Sequence, residues 1–183
     1  MTYIRTVGDE EAKGAVAHNY DQCRRAAGGV YETSRMMSLW PELLEADWNR
    51  YVVIMGSDTA LSRPEKETIA AALSAMNDCP YCIAHHRAMA IDAGAEPALI
   101  DALIENRETA PLDRRMRAIL DFACNPQPQR IAPANIERLR EAGLDDRAIL
   151  EAAIVSGFFR DYNWRVSALG LELEDWFKAE EGR

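Results

Sequence analysis

Prolines and glycines divide this chain into segments of helical length, and this spacing constrains the fold more than any other feature of the sequence. Pro64 and Pro80 each open an apolar-rich segment, as proline does in the first turn of a helix. A glycine follows three such segments, where it is favoured as a C-terminal cap: Gly94, Gly143 and Gly170. No stretch alternates between apolar and polar residues over the length of a strand, apart from the ambiguous RYVVIMG. The sequence therefore predicts an all-α protein.

The region after Leu144 predicts a long helix, and Asp145 has a suitable side chain to cap its start. Apolar residues recur there at the spacing of one helical face: Ile149, Leu150, Ala153, Ile154, Phe158 and Tyr162. We therefore expect these residues to form a common apolar face.

The segment Cys124–Pro133 interrupts the helical pattern, because its three prolines are incompatible with a regular helix. It separates a core motif region at about 60–95 from C-terminal helices at about 134–183. The helices on both sides lack full polar faces, so we expect them to pack together. The sequence therefore predicts a single all-α domain over residues 1–183.

Composition and charge exclude several classes of protein. The formal net charge of −9 leaves no basic face for phosphate groups, so we expect no nucleic-acid partner. No apolar stretch approaches the ~20 residues that cross a bilayer, and the first residues lack the pattern of a secretory signal. Four cysteines do not make a secreted disulfide framework. We therefore expect a protein of the reducing cytoplasm with no membrane partner.

The segment 76–90, MNDCPYCIAHHRAMA, concentrates cysteine and histidine. As a helix, it has Pro80 at its first position, Cys79 as its cap and Cys82 in its first turn. The unpaired backbone amides at this end favour a thiolate, the form that attacks a peroxide or a disulfide. Cys79 is close enough in sequence to form a disulfide with an oxidised Cys82.

Proton-transfer groups flank the two cysteines. His86 stands four residues after Cys82 and shares its helical face, and His85 lies near that face. An imidazole there could take or return the thiol proton at neutral pH. Upstream, residues 68–76 carry no charge, which predicts a buried helix, and Glu67 lies at its edge. A carboxylate there is either stabilised by the helix dipole alone or, when buried, usable as a proton relay.

Other interpretations fit parts of this cluster. A c-type haem anchor requires a histidine directly after the second cysteine, where Ile83 stands, so it is excluded. Zinc ligation stays open, although His85 and His86 diverge by about 100° on a helix. CPYC is also the redox tetrapeptide of glutaredoxins, but there it follows a strand and here it follows a helical segment. Two buried thiols beside surface histidines, without chemistry, are a further alternative.

Glu67, the CPYC segment and His86 together resemble the motif of the alkylhydroperoxidase D-like proteins of the carboxymuconolactone decarboxylase superfamily. Within that superfamily, they are most similar to the peroxidase-related enzymes. Glu67 precedes Cys79 by twelve residues, and three residues separate Cys82 from His86, as in the family pattern. The resemblance extends more weakly over most of the chain.

The resemblance implies an alkylhydroperoxidase D-like helical fold, with CxxC at a helix N-terminus, assembled as a homo-oligomer such as a trimer or hexamer. It also implies cofactor-free reduction of hydroperoxides with an external thiol or lipoyl-type reductant. Cys82 would be the peroxidatic thiol, and Cys79 would condense with its sulfenic acid and then face the reductant. His86 and Glu67 would form the proton relay.

Some positions depart from the family pattern. Tyr81 stands where characterised members have a histidine, and its hydroxyl could donate a hydrogen bond. His85 is an additional histidine that could replace the missing one and support the site, or lie at the surface, and we expect it to be a surface residue. Asn163 and Arg165 resemble a polar pair of the family's long helix, and they are left without a role.

The first hypothesis is therefore a thiol-dependent peroxidase or a related disulfide oxidoreductase. One alternative is a decarboxylase-like lyase or isomerase on the same fold, which would stay active without the cysteines. Another is an interaction protein in which the cluster holds zinc. Cys23 and Cys124 have no helically spaced partner, and we predict them to be small hydrophobic residues.

Overall fold

The computed structural model describes residues 2–181, except for the side chains of residue 129 and of residues 179–181. Within these residues the chain forms helices and no strand, as the sequence predicted. The α-helices are α1 (Gly14–Ala27), α2 (Glu32–Met37), α3 (Pro41–Met55), α4 (Arg63–Met76), α5 (Pro80–Asp92), α6 (Pro97–Glu105), α7 (Arg114–Ala123), α8 (Pro133–Glu141), α9 (Asp146–Leu169) and α10 (Asp175–Glu181). A short 3-10 helix, Pro128–Arg130, lies between α7 and α8, and the ambiguous RYVVIMG falls almost wholly in α3. Across this described part, no helix is long and apolar enough to cross a membrane.

Helix boundaries follow the prolines, glycines and caps that the sequence predicted. Cys79 is the N-cap of α5 and Pro80 its first residue, while Pro64 lies in the first turn of α4. Asp145 accepts a hydrogen bond from the Ala148 backbone N–H at 2.8 Å, which confirms it as the cap of α9. Three glycines that follow helices have positive φ angles of 101°, 87° and 64°: Gly94, Gly143 and Gly170.

The apolar face predicted for α9 is wrong in part. Leu150, Ala153 and Ile154 were expected to share it with Phe158, but these three residues are exposed. The buried apolar residues lie on the other side of the helix: Ala148, Ala152, Val155, Phe158, Phe159 and Val166. Because α9 carries apolar residues on both sides, the sequence pattern did not indicate which side faces the core.

Contacts divide the chain into two compact units. The terminal unit comprises the described residues of 1–53 and 165–183, and the central unit comprises residues 54–164. Helices α3 and α9 each continue from one unit into the other. The sequence analysis expected the proline-rich segment Cys124–Pro133 to separate two parts of the chain, but this segment lies inside the central unit. The single domain over 1–183 stays a prediction.

The terminal unit brings together the two ends of the chain. The Tyr3 backbone N–H donates to the Leu169 carbonyl oxygen at 2.9 Å. Arg165 Nη1 donates to Asp47 Oδ2 at 2.7 Å, and both side chains are largely buried. Removing one partner of a buried ion pair strongly destabilises a protein, because the remaining charge is left buried without a partner. Arg165, which the sequence analysis left without a role, therefore has a structural one.

The central unit is organised around α4, which packs against α5, α6 and α7. Residues Lys66–Ser74 are all buried, in agreement with the uncharged sequence from Thr68 onward. The helix begins in a capping box between Ser62 and Glu65, which satisfies backbone N–H groups at its N-terminus. A buried helix with a defined start holds Glu67 at a set position in the interior.

Glu151 in α9 secures the segment that leads into α4. Its Oε2 accepts hydrogen bonds from Thr59 Oγ1 at 2.6 Å and from the Leu61 N–H at 2.9 Å, and its Oε1 accepts one from Arg147 at 2.6 Å. The buried Lys66 Nζ donates to Thr59 Oγ1 at 2.7 Å. Burial by itself raises the pKa of Glu151, but these hydrogen bonds outweigh burial and lower that pKa to about 2.

Replacing Glu151 with Gln should lower the free energy of unfolding at neutral pH by about 3 kcal/mol. A depressed folded-state pKa stabilises the protein above the ordinary value of 4.5, and this stabilisation is lost as pH falls toward about 2. The melting temperatures of wild type and variant should therefore differ at neutral pH and converge across that acidic range. Thermal melts followed by circular dichroism measure this, with Glu105→Gln as an exposed control. A difference that stays constant with pH would contradict the assignment.

Candidate active site

The turn between α4 and α5 places the cysteines. After Met76 the Asp78 N–H donates to the Ala75 carbonyl at 3.1 Å and the Cys79 N–H donates to the Ser74 carbonyl at 3.0 Å. These two bonds form a Schellman motif, in which Asp78 takes the left-handed position with φ 49°. Aspartate adopts this conformation more readily than most side chains. The chain therefore reverses directly from the buried helix into the cysteine segment.

Cys79 and Cys82 are joined in a disulfide, with their Cα atoms 5.4 Å apart. Both lie at the N-terminal end of α5, where the positive end of the helix dipole and the unpaired amides favour an anionic sulfur. Cys79 is 1% exposed and Cys82 is 5% exposed, so little of either residue is open to solvent. The structure thus brings the predicted cysteine pair together. The family resemblance implied that Cys79 faces the reductant, and the burial of Cys79 does not support this.

His86 lies one turn after Cys82 on α5 and faces Glu67 on α4. His86 Nδ1 lies 2.9 Å from Glu67 Oε2, and both side chains are buried. The imidazole and the carboxyl group share one hydrogen in this contact, so a proton can pass between His86 and Glu67. Phe159 of α9 packs edge-on against the imidazole, with ring centroids 4.4 Å apart. The ring is therefore held in one orientation by a carboxylate and by an aromatic wall.

Glu67 is fully buried, and its second oxygen is unused. Oε1 makes no hydrogen bond with any residue that the structure describes, whereas Oε2 is taken by His86. An unsatisfied buried carboxylate oxygen costs free energy, and such groups concentrate at functional sites. The sequence left Glu67 between a helix-dipole role and a proton relay, and its burial and its contact with His86 favour the relay.

The expectation that His85 is a surface residue is wrong. His85 is 4% exposed, and its ring centroid lies 4.6 Å from that of Tyr81. Tyr81 is itself buried, so the two residues that depart from the family pattern contact each other. The alternative of buried thiols beside surface histidines is therefore wrong as well, since His85 and His86 are both buried.

Comparison with known proteins gives a family for this arrangement. The model of the carboxymuconolactone decarboxylase family matches residues 41–125. An uncharacterized peroxidase-related protein from Silicibacter sp. is 31% identical, and its structure matches over 95% of this chain and 90% of its own with a TM-score of 0.83. A peroxidase-related protein from Ralstonia eutropha, described as an alkylhydroperoxidase core, is 26% identical and matches over 96% and 94% with a TM-score of 0.88.

The chain belongs to the carboxymuconolactone decarboxylase family, in its alkylhydroperoxidase D-like, peroxidase-related branch. The predicted family and fold are thus confirmed. An alkyl hydroperoxide reductase of Mycobacterium tuberculosis is 35% identical over 96 residues, which are 51% of this chain. The match spans 27% of that longer relative. The segment matched by the family model contains α4 and α5, with Glu67, both site cysteines and His86.

Some residues around this alkylhydroperoxidase D-like site escaped the sequence analysis. Phe159 and the turn residue Asp78 carry no motif, and nothing in their local sequence indicates that they adjoin the histidine or the cysteines. Phe159 belongs to α9, outside the segment that the family model matches. Its contact with His86 depends on how α9 packs, which a local pattern does not contain.

Cys23 and Cys124 do not add to the site. Burial raises the pKa of Cys23 and raises the pKa of Cys124 to about 11, so both stay as thiols at neutral pH. This agrees with their prediction as small hydrophobic residues.

The zinc alternative requires a cluster of metal ligands. Among the described residues, no group of three or more His, Cys, Asp or Glu side chains could hold a metal ion. The donor set around the disulfide therefore gives the zinc alternative no support.

Proposed function

We propose that this alkylhydroperoxidase D-like protein is a thiol-dependent peroxidase that reduces hydroperoxides through the Cys79–Cys82 couple. The observation that carries the proposal is the buried Glu67–His86 pair, one helical turn from the disulfide. The names of its relatives agree, since one is an alkyl hydroperoxide reductase and others are peroxidase-related proteins. Cysteine chemistry beside a proton relay is the combination that such a reaction needs.

In the first step, the Cys82 thiolate attacks the terminal oxygen of the hydroperoxide, and the O–O bond breaks. The sulfur becomes a sulfenic acid, and the alkoxide that leaves takes a proton to become an alcohol. His86 supplies or relays this proton, and Glu67 accepts a hydrogen bond from its Nδ1 and stabilises the imidazolium. The helix N-terminus favours the thiolate at the start of the step.

In the second step, the Cys79 thiol attacks the sulfenic sulfur of Cys82, and a water molecule leaves. The product is the disulfide in which the two residues are found. The electrons for the peroxide therefore come from the two thiols, and the proposed reaction uses no bound cofactor.

In the third step, an external dithiol reduces the disulfide by thiol–disulfide exchange and itself becomes a disulfide. The small exposed fraction of both cysteines favours a slender donor, such as a lipoyl group on a long arm, over a broad protein surface. We place this cycle in the reducing cytoplasm, where dithiol donors are kept reduced.

We also infer that the protein is a homo-oligomer, with a trimer or hexamer as the expected form. The exposed side of α9 carries Leu150, Ile154 and Trp164, which are 55%, 42% and 71% exposed. At 100° per residue these three positions lie on one side of the helix, opposite its buried face. An apolar strip of this kind is suited to contact with a second copy.

Replacing Cys82 with Ser should reduce the turnover of cumene hydroperoxide with dithiothreitol to the uncatalysed rate, because the attacking thiolate is gone. Without dithiothreitol, Cys79→Ser should consume one equivalent of hydroperoxide and leave a sulfenic acid on Cys82, which trapping and mass spectrometry detect. Cys23→Ala, at another buried cysteine, is the matched control and should keep the wild-type rate. Hydroperoxide turnover that survives in Cys82→Ser would refute the proposal that the cysteine pair carries the reaction.

Replacing Glu67 with Gln should lower the rate of hydroperoxide reduction about 100-fold, because the imidazole loses the carboxylate that orients it and stabilises its charge. Stopped-flow kinetics measure the rate at which hydroperoxide oxidises the cysteine pair in wild type and variant. Thermal melts check that the variant is folded. Glu105→Gln serves as a carboxylate control at an exposed position. A folded Glu67→Gln protein with the wild-type rate would remove Glu67 from the relay.

Replacing Trp164 with Glu should lower the molar mass measured by light scattering, because a charge would be buried in the contact between copies. Ile154→Glu should act in the same direction, whereas Ala134→Glu, at an exposed position of α8, should leave the mass unchanged. A wild-type protein that is monomeric, or a mass that neither α9 variant alters, would refute this assembly surface.

A further inference from the structure

Helices α7 and α8 of the central unit enclose an open cavity of about 230 Å³. Its lining comes from residues 114–122 and 135–142, so it is separate from α4 and α5, which hold the redox site. Three arginines line it: Arg114 and Arg117 from α7 and Arg138 from α8. The whole chain has a formal net charge of −9, so this concentration of positive charge is a local feature.

Two of these arginines are unpaired within the part of the chain that the structure describes. There, neither the Arg114 nor the Arg138 side chain makes a hydrogen bond or an ion pair. Their neighbour Arg115, by contrast, leaves the cavity lining and pairs with Glu65, with Nε 2.6 Å from Oε1. Arg114 and Arg138 thus line the cavity with charges that no described carboxylate neutralises.

Backbone carbonyl groups hold the third arginine, Arg117. Its Nη1 donates to the Arg107 carbonyl oxygen at 2.8 Å, and its Nη2 donates to the Ala110 carbonyl oxygen at 2.7 Å. A carbonyl group has no net charge, so these bonds fix the guanidinium group without neutralising it. Because this side chain is already ordered, binding a ligand to it costs less conformational entropy.

Two carboxylates also line the cavity, and they leave its charge positive. Asp121 Oδ1 accepts a hydrogen bond from Arg107 Nη1 at 2.8 Å, so its charge is already compensated from outside the lining. Glu141 makes no ion pair with any described residue, and its charge opposes the binding of an anion. Three arginines beside one uncompensated carboxylate favour a ligand with more than one negative charge.

We propose that this cavity binds a small phosphate-bearing molecule, which Arg114, Arg117 and Arg138 hold by its phosphate group. Guanidinium groups form short, charge-assisted hydrogen bonds to phosphate, whose oxygens are numerous enough for several arginines at once. The volume admits a phosphate group with a few further atoms and is below the usual size of a site for a larger ligand such as a nucleotide. The inference is independent of the peroxidase proposal, because it uses no residue of the cysteine pair or the proton relay.

The test is isothermal titration calorimetry of the purified protein with sodium phosphate at neutral pH, compared with sodium chloride at the same ionic strength. Phosphate should bind saturably, and chloride should not. Arg114→Gln and Arg138→Gln should each weaken phosphate binding about tenfold, because each removes charge-assisted hydrogen bonds. Glu141→Gln should strengthen it about threefold, because it removes a repelling charge.

Arg63→Gln is the matched control, because Arg63 is an exposed arginine at the first position of α4, as Arg114 is in α7. It should bind phosphate as wild type does, and thermal melts show that each variant is folded. The inference is overturned if phosphate binding is not saturable, if Arg114→Gln and Arg138→Gln leave it unchanged, or if Arg63→Gln weakens it equally. Binding of hexaglutamate without binding of phosphate also overturns it, and indicates an acidic protein segment as the ligand.

Discussion

Helix α4 is buried on every side along Lys66–Ser74, and the central unit depends on this constraint. A polar side chain on such a helix cannot hydrogen-bond to solvent, so it needs a hydrogen-bond partner inside the protein. Lys66 is hydrogen-bonded to the segment that precedes the helix, and Ser74 is bonded to the preceding turn of α4. Among the residues that the structure describes, Glu67 bonds to His86 alone, through one of its two oxygens. Within this described part, the carboxyl group of Glu67 is therefore left partly unsatisfied on a fully buried helix.

Glu67 contacts His86, which lies one helical turn after Cys82 of the disulfide. The Schellman turn at Asp78 returns the chain at once, so α5 starts next to the end of α4 with Cys79 as its cap. From there, one helical turn separates Cys82 from His86. A carboxylate, an imidazole and a sulfur pair are thus held on two packed helices with little exposure to solvent. Low exposure strengthens the interaction between Glu67 and His86 and also limits which electron donors can reach the sulfurs.

The sequence predicted the elements whose causes are local. Pro80 and Cys79 start α5 where expected, because capping depends on the nearest few residues. The positions of Glu67 and His86 followed from a motif, and their contact is a finding of the structure. His85 was misplaced at the surface, because a polar side chain in an apolar segment gives no sign of which way it points. The exposed and buried sides of α9 were not separated for the same reason, since its apolar residues occur on both.

By itself, the sequence determined that the chain is helical, where α4, α5 and α9 start, where α5, α8 and α9 end, and which cysteines lie together at a helix N-terminus. These properties depend on backbone geometry and on contacts within one or two turns, which neighbouring residues specify. Only the tertiary structure decided that Glu67 reaches His86, that Phe159 packs against this imidazole, and that Asn163 is buried beside Ser74. Each of these depends on how separate helices pack, and packing is set by the fit of many side chains that are distant along the chain.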